Sequence, residues 1–196
     1  MLIETASISA SEVARLGLEG LHPEIVDGQW FYAYAPEPSL EGDMMAVGKL
    51  HSKIGARIIA ALLGYLEDQP LGEVYQDGLG YVLKGGPEAI DLMYIPDVSF
   101  VLAARVVESE PEAYYYQAPD LAVEIISPGE RVGDIQRKLD DYLFYGVQQV
   151  WQIYPQQRKV VVHYADGTAL TYRPGGILAG GDLLPGFSLP VEKLFS

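Results

Sequence analysis

The chain predicts a single mixed α/β (α+β) domain, a central sheet with helices packed on it. Three observations carry this. Two short apolar runs, 97–102 and 121–126, read as strands buried on both faces. Two longer segments, 51–67 and 132–145, repeat apolar residues at intervals of three and four, the period of an amphipathic helix. With 196 residues, 49% hydrophobic and 20% charged, the chain can bury one ordinary core without staples.

Residues 9–18 are expected to form a short N-terminal helix, and 24–33 a hairpin. The hairpin turn is Asp27-Gly28, because both central positions of the tight turn need φ > 0. Residues 36–43, rich in Pro, Glu, Gly and Ser, form a loop. In 51–67, Ile54, Ile58, Ala61, Leu62, Tyr65 and Leu66 make one apolar face, and Pro70 and Gly72 end the helix. A strand follows at 73–83, a turn at Gly85-Gly86-Pro87 and a core strand at 94–102. Residues 103–118 read as a connection with a short helix, and 119–126 as the next core strand.

Ser127-Pro128-Gly129-Glu130 has the spacing of a capping box. The glycines at 129 and 133 place the regular helix later, at 132–145, with Gly146 as its C-terminal stop. Strands are expected at 148–154, 159–164 and 168–172, then a turn and apolar anchor at 184–195.

Composition excludes several classes. There is no cysteine, hence no disulfide, thiolate zinc site or cysteine nucleophile. Residues 1–14 lack the basic and apolar blocks of a secretory signal. The longest apolar run, 58–63, is too short to cross a bilayer. A cytoplasmic protein with no membrane partner is expected. The net charge of −14 opposes nonspecific DNA binding, which favours a basic surface. Two small basic clusters run against it: Arg131, Arg137 and Lys138, and Arg158 and Lys159.

Glu124 sits in the otherwise apolar run Leu121-Ala122-Val123-Glu124-Ile125-Ile126. A carboxylate goes into such a place when it is paired or holds a metal. Side chains alternate along a strand, so Asp120, Ala122, Glu124 and Ile126 share one face, as do Asp97, Ser99 and Val101. If the two strands are neighbours, Asp97 and Glu124 converge. Two hard oxygen ligands suit Mg²⁺ or Mn²⁺, which take the rest of their shell from water and phosphate. Lys138 falls on the flank of the stripe Ile135, Leu139, Tyr142 and Leu143, and its long stem can carry the ammonium to the sheet edge.

At these residues the chain resembles the Uma-type family of the PD-(D/E)XK, restriction-endonuclease-like superfamily. The resemblance rests on Glu24-Ile25-Val26-Asp27-Gly28, His51, Pro96-Asp97, residues 119–128, Lys138 with Tyr142 and Gly146, Val150-Trp151 and Leu184-Pro185-Gly186-Phe187. It implies an αβββαβ nuclease core at 51–154, with the hairpin extension at 1–50 and C-terminal strands at 155–196. It implies Asp97 and Glu124 as ligands of Mg²⁺ or Mn²⁺, with the backbone carbonyl of Ile125 as a third. Lys138 would assist the attacking water, Glu24 would support the site, DNA would be the substrate, and the assembly a homodimer. The superfamily places its lysine two residues after the glutamate, where this chain has Ile126. Lys138 would be the migrated substitute.

Each residue also has a plainer reading. Glu124 could be a buried carboxylate paired with Lys138 or a hydroxyl. Asp97 could be a turn residue after Pro96, and Lys138 a partner of Asp134. Glu24 could simply begin a hairpin. Asp120 reads as a strand-start residue. His51 reads as a helix-start or core histidine, Tyr114-Tyr115-Tyr116 as packing, and His163 as too isolated for a hydrolase triad. The leading expectation is a metal-dependent endonuclease. The alternatives are an inactive nuclease-like binding module and a hydrolase of another phosphoester.

Overall fold

The computed structural model describes residues 7–18, 23–31, 48–107 and 114–196. The 36–43 loop lies outside them, as do parts of the hairpin and of the 103–118 connection.

Helix α1 (Ala10–Leu18) precedes the hairpin β1 (Glu24–Val26) and β2 (Gln29–Phe31). Asp27 and Gly28 both have positive φ, 53° and 67°, as that turn requires. The long helix α2 (Lys49–Asp68) buries Ile54, Ile58 and Leu62, the centre of its apolar face. Strands β3 (Gly72–Gln76), β4 (Tyr81–Gly86), β5 (Ala89–Tyr94) and β6 (Val98–Leu102) follow. A short 3-10 turn at Ala103–Arg105 leads toward β7 (Leu121–Ile125). Helix α3 (Val132–Phe144) then returns the chain to β8 (Gln149–Tyr154), β9 (Lys159–Tyr164) and β10 (Ala169–Tyr172). A hairpin of β11 (Ile177–Gly180) and β12 (Leu184–Pro190) ends in a 3-10 turn, Val191–Leu194.

The main sheet has the order β10-β9-β8-β7-β6-β3. All its pairs are antiparallel except β7 with β8, which are parallel. That pair needs a crossover, and α3 supplies it. A second sheet has the order β2-β1-β5-β4, and β3 of the main sheet falls between its two hairpins in the chain. Ile54, Ile58 and Leu62 of α2 pack with Val98, Phe100, Leu121, Val123 and Ile125 on one face of the main sheet. Leu139 and Tyr142 of α3 pack with Ala122 and Val150 on the other. Among the described residues no helix is long and apolar enough to cross a membrane.

Four expectations need correction. The 73–83 strand is two, β3 and β4, broken at Asp77-Gly78, where Gly78 has φ 109°. The same Asp-Gly signal makes the first hairpin. The 94–102 strand is also divided, because Pro96 has no N–H to give a ladder. Tyr94 closes β5, and β6 starts at Val98. Gly85 and Gly86 lie inside β4, and the turn falls after them. Gly85 takes φ 103° at a register shift, where an added Cβ would meet the Ala89 carbonyl at 2.4 Å. The 184–195 tail is largely strand, paired with the unanticipated β11.

Candidate functional site

The register Val98↔Val123 makes β6 and β7 direct neighbours, so the Asp97 end of one meets the Glu124 end of the other. Glu124 points to the α3 face. Its Oε2 accepts from Lys138 Nζ at 3.0 Å, and its Oε1 from the Tyr142 hydroxyl at 2.8 Å. Lys138 and Tyr142 are four apart on α3 and present one flank together.

Lys138 Nζ also donates to Glu24 Oε1 at 2.5 Å. Glu24, the first residue of β1, accepts a second bond at the same oxygen from the Ile95 N–H, at 3.0 Å. The N-terminal hairpin is thus tied to both the β5–β6 connection and α3. The other oxygen, Glu24 Oε2, is buried with no partner among the described residues.

Asp97 lies just before β6, and its carboxyl is held from other directions. Its Oδ2 accepts from the Ile125 N–H of β7 at 2.6 Å, and its Oδ1 lies 3.2 Å from His51 Nε2 of α2. The two acids therefore occupy one end of the sheet while bonding to different helices. Asp97 and Ile125 line a pocket of about 350 Å³ with His51, Ser52, Gly55 and Ala56. Lys138 instead borders a cleft of about 30 Å³ with Phe31, Tyr94, Arg131 and Arg137.

Charge follows this division. Burial pushes the Glu124 carboxyl up, to about 8; Lys138 pulls it down, while Asp97 and Glu24 push it further up. Burial alone would lower the Lys138 pKa, but Glu124 and Glu24 more than offset it and hold the amine protonated. Burial also raises the Tyr142 hydroxyl well above its usual range, with the neighbouring carboxylates adding to it. At His51 burial pulls downward, and the Asp97 contact overcomes it to raise the pKa.

A family model, Uma2, described as "Putative restriction endonuclease", matches residues 32–192. The chain belongs to this family. A solved crystal structure of a "putative nuclease belonging to DUF820" from Anabaena variabilis has TM-score 0.70 and 18% identity, covering 93% of this chain and 97% of that one. No curated protein matches. The Uma2 chain therefore has the restriction-endonuclease-like fold expected from its sequence.

Within that Uma2 fold, Ile126 occupies the superfamily's lysine position, and its N–H bonds the Ile153 carbonyl. Lys138 brings its amine to Glu124 from the next helix. Arg137, beside it, points elsewhere, pairing with Asp134 and stacking on Phe31. Asp120 is at the far end of β7, bonded to Arg105, Gln148 and the Leu102 N–H. His163 bonds Gln152, and Tyr115 packs between Tyr75 and Tyr81.

Sequence reasoning left two contacts out. By period Tyr142 reads as part of the apolar stripe, although its i,i+4 spacing from Lys138 is a signal for a shared task. His51 reads as a helix-start or core histidine. The small residues Ser52, Gly55 and Ala56 on the same flank of α2 were the sign that this flank borders a pocket.

Proposed function

We propose that this chain is a Mg²⁺-dependent endonuclease that hydrolyses DNA phosphodiester bonds. The observation that carries the reading is the amine of Lys138 on Glu124, beside Asp97 just before the adjoining strand, in a chain of the Uma2 family.

The donor set fits a hard divalent cation. Glu24 and Glu124 share one lysine, and Asp97 adds a further carboxylate, so acid exceeds base. The partnerless Glu24 Oε2 is a buried oxygen with capacity to spare. Among the described residues no group of three or more His, Asp or Glu side chains is arranged to hold a metal ion by itself. Mg²⁺ is commonly held by one or two carboxylates and keeps several waters for exchange with phosphate. Asp97, Glu124 and the Ile125 carbonyl would hold it. An ion held there would supply a water of lowered pKa and neutralise charge on the phosphoryl group.

The chain's own groups do the rest. Lys138, fixed by two carboxylates, keeps its proton and presents positive charge where the phosphorane oxygens develop negative charge. Tyr142 donates to Glu124 and holds its carboxyl plane. The open pocket beside Asp97 gives the substrate strand a way in.

DNA cleavage with Mg²⁺ or Mn²⁺ tests this, comparing the natural chain with Asp97→Ala and Glu124→Ala. Each substitution is expected to abolish cleavage. Cleavage that survives both rejects the assignment. The charge of −14 favours a second reading, an inactive nuclease-like binding module. In that case Mn²⁺ leaves the melting temperature unchanged.

A further inference from the structure

The two carboxylate oxygens of Asp97 are gripped by different elements. Oδ2 takes the Ile125 N–H from β7, and Oδ1 faces His51 Nε2 on α2 at 3.2 Å. The His51 and Asp97 side chains are only 19% and 20% exposed, and both border the pocket of about 350 Å³. A carboxylate oxygen has two acceptor sites. One donor on each oxygen leaves one site on each for something else. The terminal torsion of an aspartate is broad, so a single donor does not fix the carboxyl plane. The Ile125 N–H alone would leave Oδ1 free to swing. With His51 in place, both oxygens are pinned.

We propose that His51 is a positioning residue for a divalent cation, its Nε2–H holding Asp97 Oδ1 so that the carboxylate's remaining lone pairs face the pocket. The inference rests on the metal site proposed above. Asp97 accepts and cannot donate while ionised, so the contact puts the imidazole proton on Nε2. That leaves Nδ1 as the other ring nitrogen, which the Asp97 contact does not use. Partners of this kind commonly set ligand orientation, and their loss typically weakens metal binding about 10- to 100-fold.

The test is Mn²⁺ binding to the full chain, read from the electron paramagnetic resonance signal of free Mn²⁺. The natural chain is compared with His51→Leu, His51→Gln and Asp97→Ala. Glutamine carries an amide N–H at about the reach of imidazole Nε2; leucine carries none. The expected result is a loss of about 10- to 100-fold in Mn²⁺ affinity for H51L. H51Q recovers most of that loss. Thermal melting in chelator reports folding separately, and H51Q serves as the guard against a purely structural defect in H51L.

The inference is overturned if H51L binds Mn²⁺ as the natural chain does, or if H51Q binds no better than H51L. If D97A weakens binding while H51L does not, only the role of His51 fails. If D97A itself binds like the natural chain, the metal site fails and the role of His51 goes with it.

Discussion

Asp120 and Glu124 stand four residues apart, one immediately before β7 and the other near its end. Asp120 is completely buried and fully answered. Arg105 and Gln148 donate to its Oδ1 at 2.6 and 2.7 Å, and the Leu102 N–H to its Oδ2 at 2.9 Å. One carboxylate faces one guanidinium, and the local charge is zero. Glu124 shares one ammonium with Glu24, has Asp97 nearby, and stands near a buried oxygen with no partner. The first arrangement is what a fold needs. The second gathers three carboxyl groups around one ammonium and one imidazole, and burial keeps Glu124 protonated until a cation supplied from outside favours its charged form.

The largest effects come from removing the cation at each end. Arg105→Met leaves Asp120 buried and unpaired, and a broken buried pair costs about 3–5 kcal/mol. Lys138→Met leaves Glu24 and Glu124 facing each other, with a cost of similar size, about 3–5 kcal/mol. Urea unfolding in chelator should show both losses. Added Mn²⁺ then separates them, since binding to the folded state alone stabilises it. Lys138→Met should regain part of its loss, and Arg105→Met should gain no more than the natural chain does. Equal responses would erase the distinction between the two ends.

The same contrast explains what could be read in advance. The helices were legible because α2 and α3 each bury one apolar stripe. Strand β7 was legible because an apolar run held one acid. The contact of Lys138 with Glu124 was legible too, since a charged residue in such a run demands a partner and the next helix offers a lysine on its flank. What escaped depends on backbone breaks and dual-purpose side chains. Pro96 and Asp77-Gly78 each cut an apparently continuous strand. Tyr142 looks apolar by its period, and only its hydroxyl betrays the second task. The Asp97–His51 contact joins residues on different elements; the small residues Ser52, Gly55 and Ala56 mark the flank of α2 but not the partner across from it.

A more gradual effect, spread over several pH units, is expected from pH. The Glu124 carboxyl is raised from its ordinary 4.5 to about 8, by burial first and by Asp97 and Glu24 after it, against the pull of Lys138. Between those values the folded chain holds a proton there that the unfolded chain has released. Stability therefore falls as pH rises through the window, by up to about 1.4 kcal/mol per pH unit. His51, also raised, adds a slope of the same sign above its ordinary 6.5. Glu124→Gln removes only the Glu124 part. Urea midpoints in chelator from pH 5 to 8 should fall more steeply in the natural chain than in E124Q. Parallel curves would mean that Glu124 is ionised throughout.

The smallest effect separates a hydroxyl from an amide. Tyr142→Phe removes the donor to Glu124 Oε1, and Gln148→Ala removes one of the donors to Asp120 Oδ1. Each loss should cost about 1 kcal/mol. Their further consequences differ. The Tyr142 bond favours the ionised Glu124, so its loss should move the upper edge of the pH window still higher. Gln148→Ala should leave that edge in place, because Gln148 serves the opposite end of β7. The measurement is the pH at which the natural chain, Y142F and Q148A stop losing stability as pH rises. If Y142F and Q148A coincide there, Tyr142 does nothing for Glu124 beyond filling space, and the distinction between the two ends of β7 loses its finest detail.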